Sequence, residues 1–310
     1  MRNMIYGLLP KKYDRYIEVF GGGGWVLFGL PSDMTASMEV YNDYNSNLAN
    51  LYYCVKNRTW EFINQLGFLP LNSRDEFLAI RKFLNMEEYD TGFLHQELKL
   101  AQHYLEPPDF EEIKEIMTRN AEPSDAKRAA AFFKLIRYSY GSGCTSYGCQ
   151  PYDVRNTFAT IWAASGRLAG TVIENKDFEA LIRQYDRENA FFYCDPPYYE
   201  TEDHYAVEFK KTDHVRLRDT LAAAKGKWMV SYNDSEYIRE LYQDFYILGL
   251  TRLNNLAQRY QGGCEFPEVI ITNYDPAERQ AEGKQMSMFD YLYTEKKIYE
   301  TMQTEGEIEV

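Results

Sequence analysis

Histidine and cysteine are scarce in this chain, with four His and five Cys among 310 residues. The cysteines (Cys54, Cys144, Cys149, Cys194 and Cys264) are odd in number and widely scattered, which argues against a disulfide scaffold. Cys144 and Cys149 supply half of a metal site, but no second Cys/His pair lies nearby in sequence, so no metal is expected. No apolar run approaches the roughly 18 residues that a membrane span needs. The first residues, Met1 to Gly7, lack the apolar core of a signal peptide, so a cytoplasmic protein is expected. Positive charge is in deficit, with 34 Lys and Arg against 47 Asp and Glu and a net charge of −13. A hydrophobic content of 45% excludes a disordered or collagen-like chain. No internal repeat is visible.

Aromatic residues are abundant, at 16% with 27 tyrosines, and aromatic side chains serve both cores and recognition surfaces. The acidity is uneven, because residues 271–310 hold 4 basic and 9 acidic groups. Residues 126–155 instead hold Lys127, Arg128, Lys134, Arg137 and Arg155 against Asp153 alone, interleaved with Phe132, Phe133, Tyr138, Tyr140, Tyr147 and Tyr152. Overall acidity does not exclude a polyanion partner, since charges are screened within about 10 Å at ordinary ionic strength and local groups make the contacts. A solvated helix face above buried aromatics has the same composition, so charge alone leaves both readings open.

Tyr16 to Phe20 is a β-prone run that ends in Gly21, Gly22, Gly23 and Gly24, followed by the apolar Trp25 to Phe28: strand, tight turn, helix. Ser37 to Tyr41 predicts a second strand, closed by Asn42-Asp43 before a helix through Leu48, Leu51, Tyr52 and Val55. From Trp60 to about Arg137 the apolar spacing is helical, broken at Pro70, Gly92, Pro107-Pro108 and near Pro123. Residues 141–152 form a Gly-rich loop too long for a simple turn. Strand character returns at 170–174, 190–194, 227–232 and 268–272. These patterns predict an α/β fold. Its open sheet is assembled from residues 1–56 and 166–275, a mainly helical domain is inserted at 57–165, and an acidic tail spans 276–310.

Ligands of open α/β sheets bind beyond the carboxyl ends of the strands. The glycine turn after the first strand lets backbone approach a ligand, and Asp43 at the end of the next strand suits ribose hydroxyls. Such turns serve several nucleotide-like ligands, and a purely structural turn has the same look. Asp195-Pro196-Pro197-Tyr198 follows the apolar strand 190–194 directly. Two prolines stop that strand and leave a carboxylate and nearby carbonyls at the sheet edge.

With these segments in register, the chain from about Pro10 to Pro276 resembles the Dam-like bacterial and phage DNA adenine methyltransferases. The resemblance rests on Glu18 to Gly23, Tyr41 to Leu48, Ile173 to Phe178 and Asp195 to Tyr199. Ser231-Tyr232-Asn233-Asp234 and Ile271 to Asp275 fit as well. It implies a Rossmann-like methyltransferase sheet and S-adenosylmethionine as cofactor. Phe20, Gly21 and Gly23 would line the methionine portion, Asp43 would hold the ribose, and Asp177 with the Phe178 backbone would read the cofactor adenine. Asp195, Pro196, Pro197 and Tyr198 would be catalytic, acting on an adenine flipped out of double-stranded DNA. The inserted helical domain would read the target sequence, with Arg137, Tyr147 and Arg155 as DNA-binding candidates.

The resemblance also implies a cofactor-contacting Gly-x-Lys segment, which would fall just before Met1; only Arg2 to Ile5 of that helix start is present. This departure motivates an alternative, a catalytically silent DNA- or clamp-binding protein. Within the tail, Gln285-Met286-Ser287-Met288-Phe289 is similar to the peptide by which bacterial proteins dock on the sliding clamp, while its apolar residues would equally suit core packing. Protein-glutamine and RNA methyltransferases usually carry Asn at the position of Asp195. A dehydrogenase is disfavoured because the glycine turn lacks the Gly-x-Gly-x-x-Gly register.

Overall fold

The computed structural model describes residues 2–67, 73–84, 125–140, 144, 146–149, 152–199, 209–253 and 265–279. The middle of the 57–165 block, part of the 141–152 loop, Cys264 and the tail with Gln285 to Phe289 lie outside the described residues.

Among the described residues seven strands form one sheet: β1 (Arg15–Glu18), β2 (Met38–Asn42), β3 (Thr171–Glu174), β4 (Ala190–Cys194), β5 (Lys227–Asn233), β6 (Tyr246–Leu253) and β7 (Glu265–Thr272). Their order is β3-β2-β1-β4-β5-β7-β6. The first five are parallel, and β7 runs antiparallel to both β5 and β6. Ala-Phe-Phe-Tyr-Cys of β4 is buried throughout, as a central parallel strand covered on both faces must be. Phe191 and Tyr193 enter one core, Phe192 and Cys194 the other. β6 is the strand that the sequence pattern did not predict. Gly249 interrupts its apolar run, and its pairing is an antiparallel ladder with β7, a long-range contact that local periodicity does not register.

The described helices, in chain order, are α1 (Arg2–Leu8), α2 (Trp25–Gly29), α3 (Ser46–Asn57), α4 (Thr59–Leu66), α5 (Arg74–Leu84), α6 (Ala126–Tyr138), α7 (Phe158–Leu168), α8 (Phe178–Tyr185), α9 (Lys211–Ala222) and α10 (Glu236–Leu241). Elements α1 to α7 share one core with Tyr16, Tyr41, Phe191, Tyr193 and Met229 of the sheet. On the other face α8 to α10 pack over Ile17, Val40, Phe192 and Trp228. The described helices of the 57–165 block therefore share one core with the sheet, and Ser139 and Tyr147 of the same block form an antiparallel bridge. Side-chain caps fix where several helices begin: Asn45 accepts from Asn47 N, Asp125 from Lys127 N and Asp177 from Glu179 N. No helix among the described residues is long and apolar enough to cross a membrane.

β1 and β4 lie side by side at the centre, and the chain builds outward from them in opposite directions. The segments leaving these two strands diverge there, which opens a crevice at the carboxyl ends.

Candidate active site

On the β1 side the chain bends after Glu18 into the glycine turn. Gly21 N donates to Asn42 O at 2.7 Å and Gly24 N to Gly21 O at 2.7 Å, so the turn is anchored to β2 and closed on itself. Gly22 and Gly24 have φ of 48° and 64°, a region that favours glycine. A Cβ on Gly21 would stand 2.2 Å from the Tyr41 ring, whereas one on Gly22 would meet nothing within 4 Å. Gly21 is thus required by packing, and the backbone at Gly22 faces open space. The Asp43 carboxylate accepts from Gly22 N at 2.9 Å and Asn45 N at 2.8 Å. Burial raises its pKa, and the two amide bonds only partly oppose this. Asn42 braces three strand ends by donating to Val19 O and Lys176 O and accepting from Lys176 N.

The rings of Phe20, Phe178 and Phe209 form a triangle with centroid separations of 5.7 to 5.8 Å. Arg216 lies 4.0 Å over Phe178 and grips both oxygens of Asp177 at 2.8 and 2.9 Å. Burial alone would raise the Asp177 pKa, but the Arg216 bonds and the helix amides outweigh it and hold the carboxyl below its ordinary value. Neither Arg216 nor Phe209 was singled out in the sequence, because each lies far from its partner along the chain and outside any recognised motif.

On the β4 side, Asp195 is exposed at the strand end while Pro196 behind it is buried. Ser231 Oγ on β5 donates to Asp195 Oδ1 at 2.7 Å. Tyr198 OH donates to Glu268 Oε1 at 3.3 Å, and Asn233 Nδ2 donates to Tyr199 O at 3.0 Å. Strands β5 and β7 therefore brace the Asp-Pro-Pro-Tyr segment with side chains. Glu18, 2% exposed, sits between the two sides. Its Oε2 accepts from Tyr16 OH and Leu27 N, each at 2.8 Å. Burial pushes its pKa up to about 8 despite these bonds, and Asp195 adds to the rise while Arg167 opposes it.

The structure thus brings Phe20, Gly21, Gly23, Asp43, Asp177, Phe178 and the Asp195–Tyr198 segment to one edge of the sheet. The DNA-binding candidates lie on the helical side. Arg137 is exposed and stacks on Phe133 and Tyr152 at 5.3 and 5.5 Å. It is also close enough to Tyr52 to influence it, and Tyr52 packs on Tyr41 beneath the glycine turn. Tyr147 packs on Phe77 and under Arg74. Arg155 is held by both oxygens of Asp153 at 2.7 to 3.1 Å. A cavity of about 480 Å³ lies between α8 and α9, lined by Glu179, Arg183, Arg216 and Asp219, among others, with no residue of the glycine turn or of Asp195–Tyr198 in its lining.

Comparison with known proteins agrees with this geometry. The family described as D12 class N6 adenine-specific DNA methyltransferase matches residues 2–256. The chain is similar to the type II methyltransferase M1.LlaDCHI of Lactococcus lactis subsp. cremoris, 26% identical over 87% of this chain and 90% of that protein. It is similar to M.CviBI of Paramecium bursaria Chlorella virus NC1A, 32% identical over 76% of this chain and 80% of that protein. It is also similar to M.MjaIII of Methanocaldococcus jannaschii, 27% identical over 86% and 92% of the two chains. With the match spanning both sides of the crevice and the sheet order fitting a methyltransferase, the chain belongs to the D12 class of N6 adenine-specific DNA methyltransferases.

Proposed function

We propose that the crevice between β1 and β4 transfers a methyl group from S-adenosylmethionine to N6 of an adenine flipped out of a specific site in double-stranded DNA. The carrying observation is the exposed Asp195 carboxylate, fixed at the end of β4 across the crevice from the glycine turn. The residues present suit a nucleoside-bearing donor. The open backbone at Gly22 and the neighbouring Gly21 and Gly23 fit its methionine portion, Asp43 its ribose, and Phe20, Phe178 and the Asp177 end of α8 its base. S-adenosylmethionine supplies an electrophilic methyl group on a positively charged sulfur.

The exocyclic amine of adenine is a poor nucleophile because its lone pair is delocalised into the ring. Asp195 accepts one N–H and the Pro196 carbonyl accepts the other, which localises the lone pair and stabilises the positive charge that grows on nitrogen. Pro196 and Pro197 hold those acceptors on a rigid segment. A stacked adenine is out of reach of these groups, so the base leaves the duplex, at a cost of about a few kcal/mol, and Tyr198 stacks on it. Arg137, Tyr147 and Arg155 with the helical block serve as the DNA-reading side, the exposed Arg137 guanidinium lying against Phe133 and Tyr152. Docking of Gln285 to Phe289 on a sliding clamp is a second partner proposal. It fails if removing residues 280–310 leaves clamp affinity unchanged.

Incubating the protein with unmethylated DNA and labelled S-adenosylmethionine, followed by nucleoside analysis, tests the reading. Label in N6-methyladenine that disappears with Asp195→Ala is the expected outcome. Label in another base, or undiminished label with the variant, overturns it.

A further inference from the structure

The resemblance to methyltransferases points to the tetrapeptide, but not to what orients its carboxylate. Cys194 on β4 is paired with Val230 on β5 in parallel register, so Asp195 and Ser231 are the next residues along neighbouring strands. Ser231 is 1% exposed, and its Oγ donates to Asp195 Oδ1 at 2.7 Å. The same Oγ lies 3.3 Å from Tyr193 OH and 3.4 Å from Cys194 O. A serine hydroxyl carries one proton. The short, charge-assisted contact to the carboxylate is the strongest use of it. With that proton committed, Tyr193 donates to Ser231, and a hydrogen-bonded chain runs from the buried Tyr193 through the buried Ser231 to the exposed Asp195.

We infer that Ser231 is a positioning residue for the methyl transfer: it pins Oδ1 of Asp195 and so aims Oδ2 at the incoming amine. This rests on the reading of Asp195 as catalytic. Asp195 itself is exposed at a strand end. A fixed oxygen limits the orientations of its carboxylate to those that present a lone pair to the amine. Ser231 does not touch the substrate in this account, so its effect belongs in the chemical step and not in binding.

The test is steady-state methylation by the full chain with Ser231→Ala, Tyr193→Phe and Asp195→Ala, alongside thermal melting. For Ser231→Ala, kcat is expected to fall about tenfold or more while KM for DNA and for S-adenosylmethionine stays within about twofold, as for loss of one preorganising hydrogen bond. Tyr193→Phe is expected to lower kcat by a smaller factor, again with both KM values kept. A Ser231→Ala kcat within twofold of the parent protein overturns the inference. So does a loss of kcat that comes with raised KM values and a melting midpoint near the assay temperature, because that pattern belongs to a purely structural serine. If Ser231→Ala does not fold, Tyr193→Phe decides, an unchanged kcat overturning the inference. Asp195→Ala separates the two layers. If that variant still methylates adenine, the catalytic reading has failed; if it is inactive while Ser231→Ala is normal, only the role of Ser231 has failed.

Discussion

On the β1–β2 side of the crevice amides of the glycine turn make the shaping contacts, Gly21 N on Asn42 O and Gly22 N on the Asp43 carboxylate, with the backbone at Gly22 left open and the Asn42 side chain bracing the strand ends. On the β4–β5 side they come from side chains, with Ser231 on Asp195, Tyr198 on Glu268 and Asn233 reaching a carbonyl. The difference fits what the proposed function asks of each side. A nucleoside-bearing donor is held by shape and by a few amides, which a glycine turn provides. An amine whose lone pair must be localised needs an acceptor aimed to within a fraction of an ångström, and that calls for a carboxylate braced by neighbours. Variants on the β1–β2 side should therefore change donor affinity, and variants on the β4–β5 side should change turnover.

The largest expected effect is on the β4–β5 side. Asp195→Ala should lower kcat by about 10²- to 10⁴-fold, the range for a lost acid–base or electrostatic group, with product quantified by nucleoside analysis. Next comes Gly21→Ala. Its added methyl collides with Tyr41, so it should weaken donor binding at least about tenfold and cost about 1–3 kcal/mol of stability, read by calorimetry and denaturant unfolding. A normal donor affinity in Gly21→Ala would break the comparison.

Glu18 stands on the border and sharpens the contrast through pH. Its folded-state pKa is raised to about 8, so the stability linked to it is complete below the ordinary glutamate value near 4.5 and is lost as the pH rises from there to about 8. Glu18→Gln should flatten the stability curve across that window, measured as unfolding free energy against pH. A slope equal to that of the parent protein would show that Glu18 is not the group responsible. The smallest effects are expected on the helical side. Arg137→Ala should weaken DNA binding severalfold and reduce the salt dependence of affinity by about one unit of log–log slope. Arg155→Ala should do less, because Asp153 already occupies its guanidinium.

Six of the seven strands were legible in the sequence because each is a compact apolar run with a clear stop, as at Asp195-Pro196 after β4. β6 was not, since Gly249 breaks its run and its ladder partner lies beyond the local window. The glycine turn, Asp43 and the Asp-Pro-Pro-Tyr segment were legible as motifs, each within a few consecutive residues. Their supports were not. Ser231 stood in a matching segment without a role, and it, Tyr193, Glu268 and Arg216 gain meaning only when the strand register and the packing of α9 bring them against the motifs. Glu18 stood inside a recognised motif without a role, because one sequence does not show that its carboxyl is buried.

The division of labour is tested most directly by titrating S-adenosylmethionine into Asp195→Ala in a calorimeter and assaying the same sample for methyl transfer. The account predicts donor affinity within about twofold of the parent protein and turnover lower by about a hundredfold or more. Loss of donor binding in that variant, or retained turnover, would contradict it.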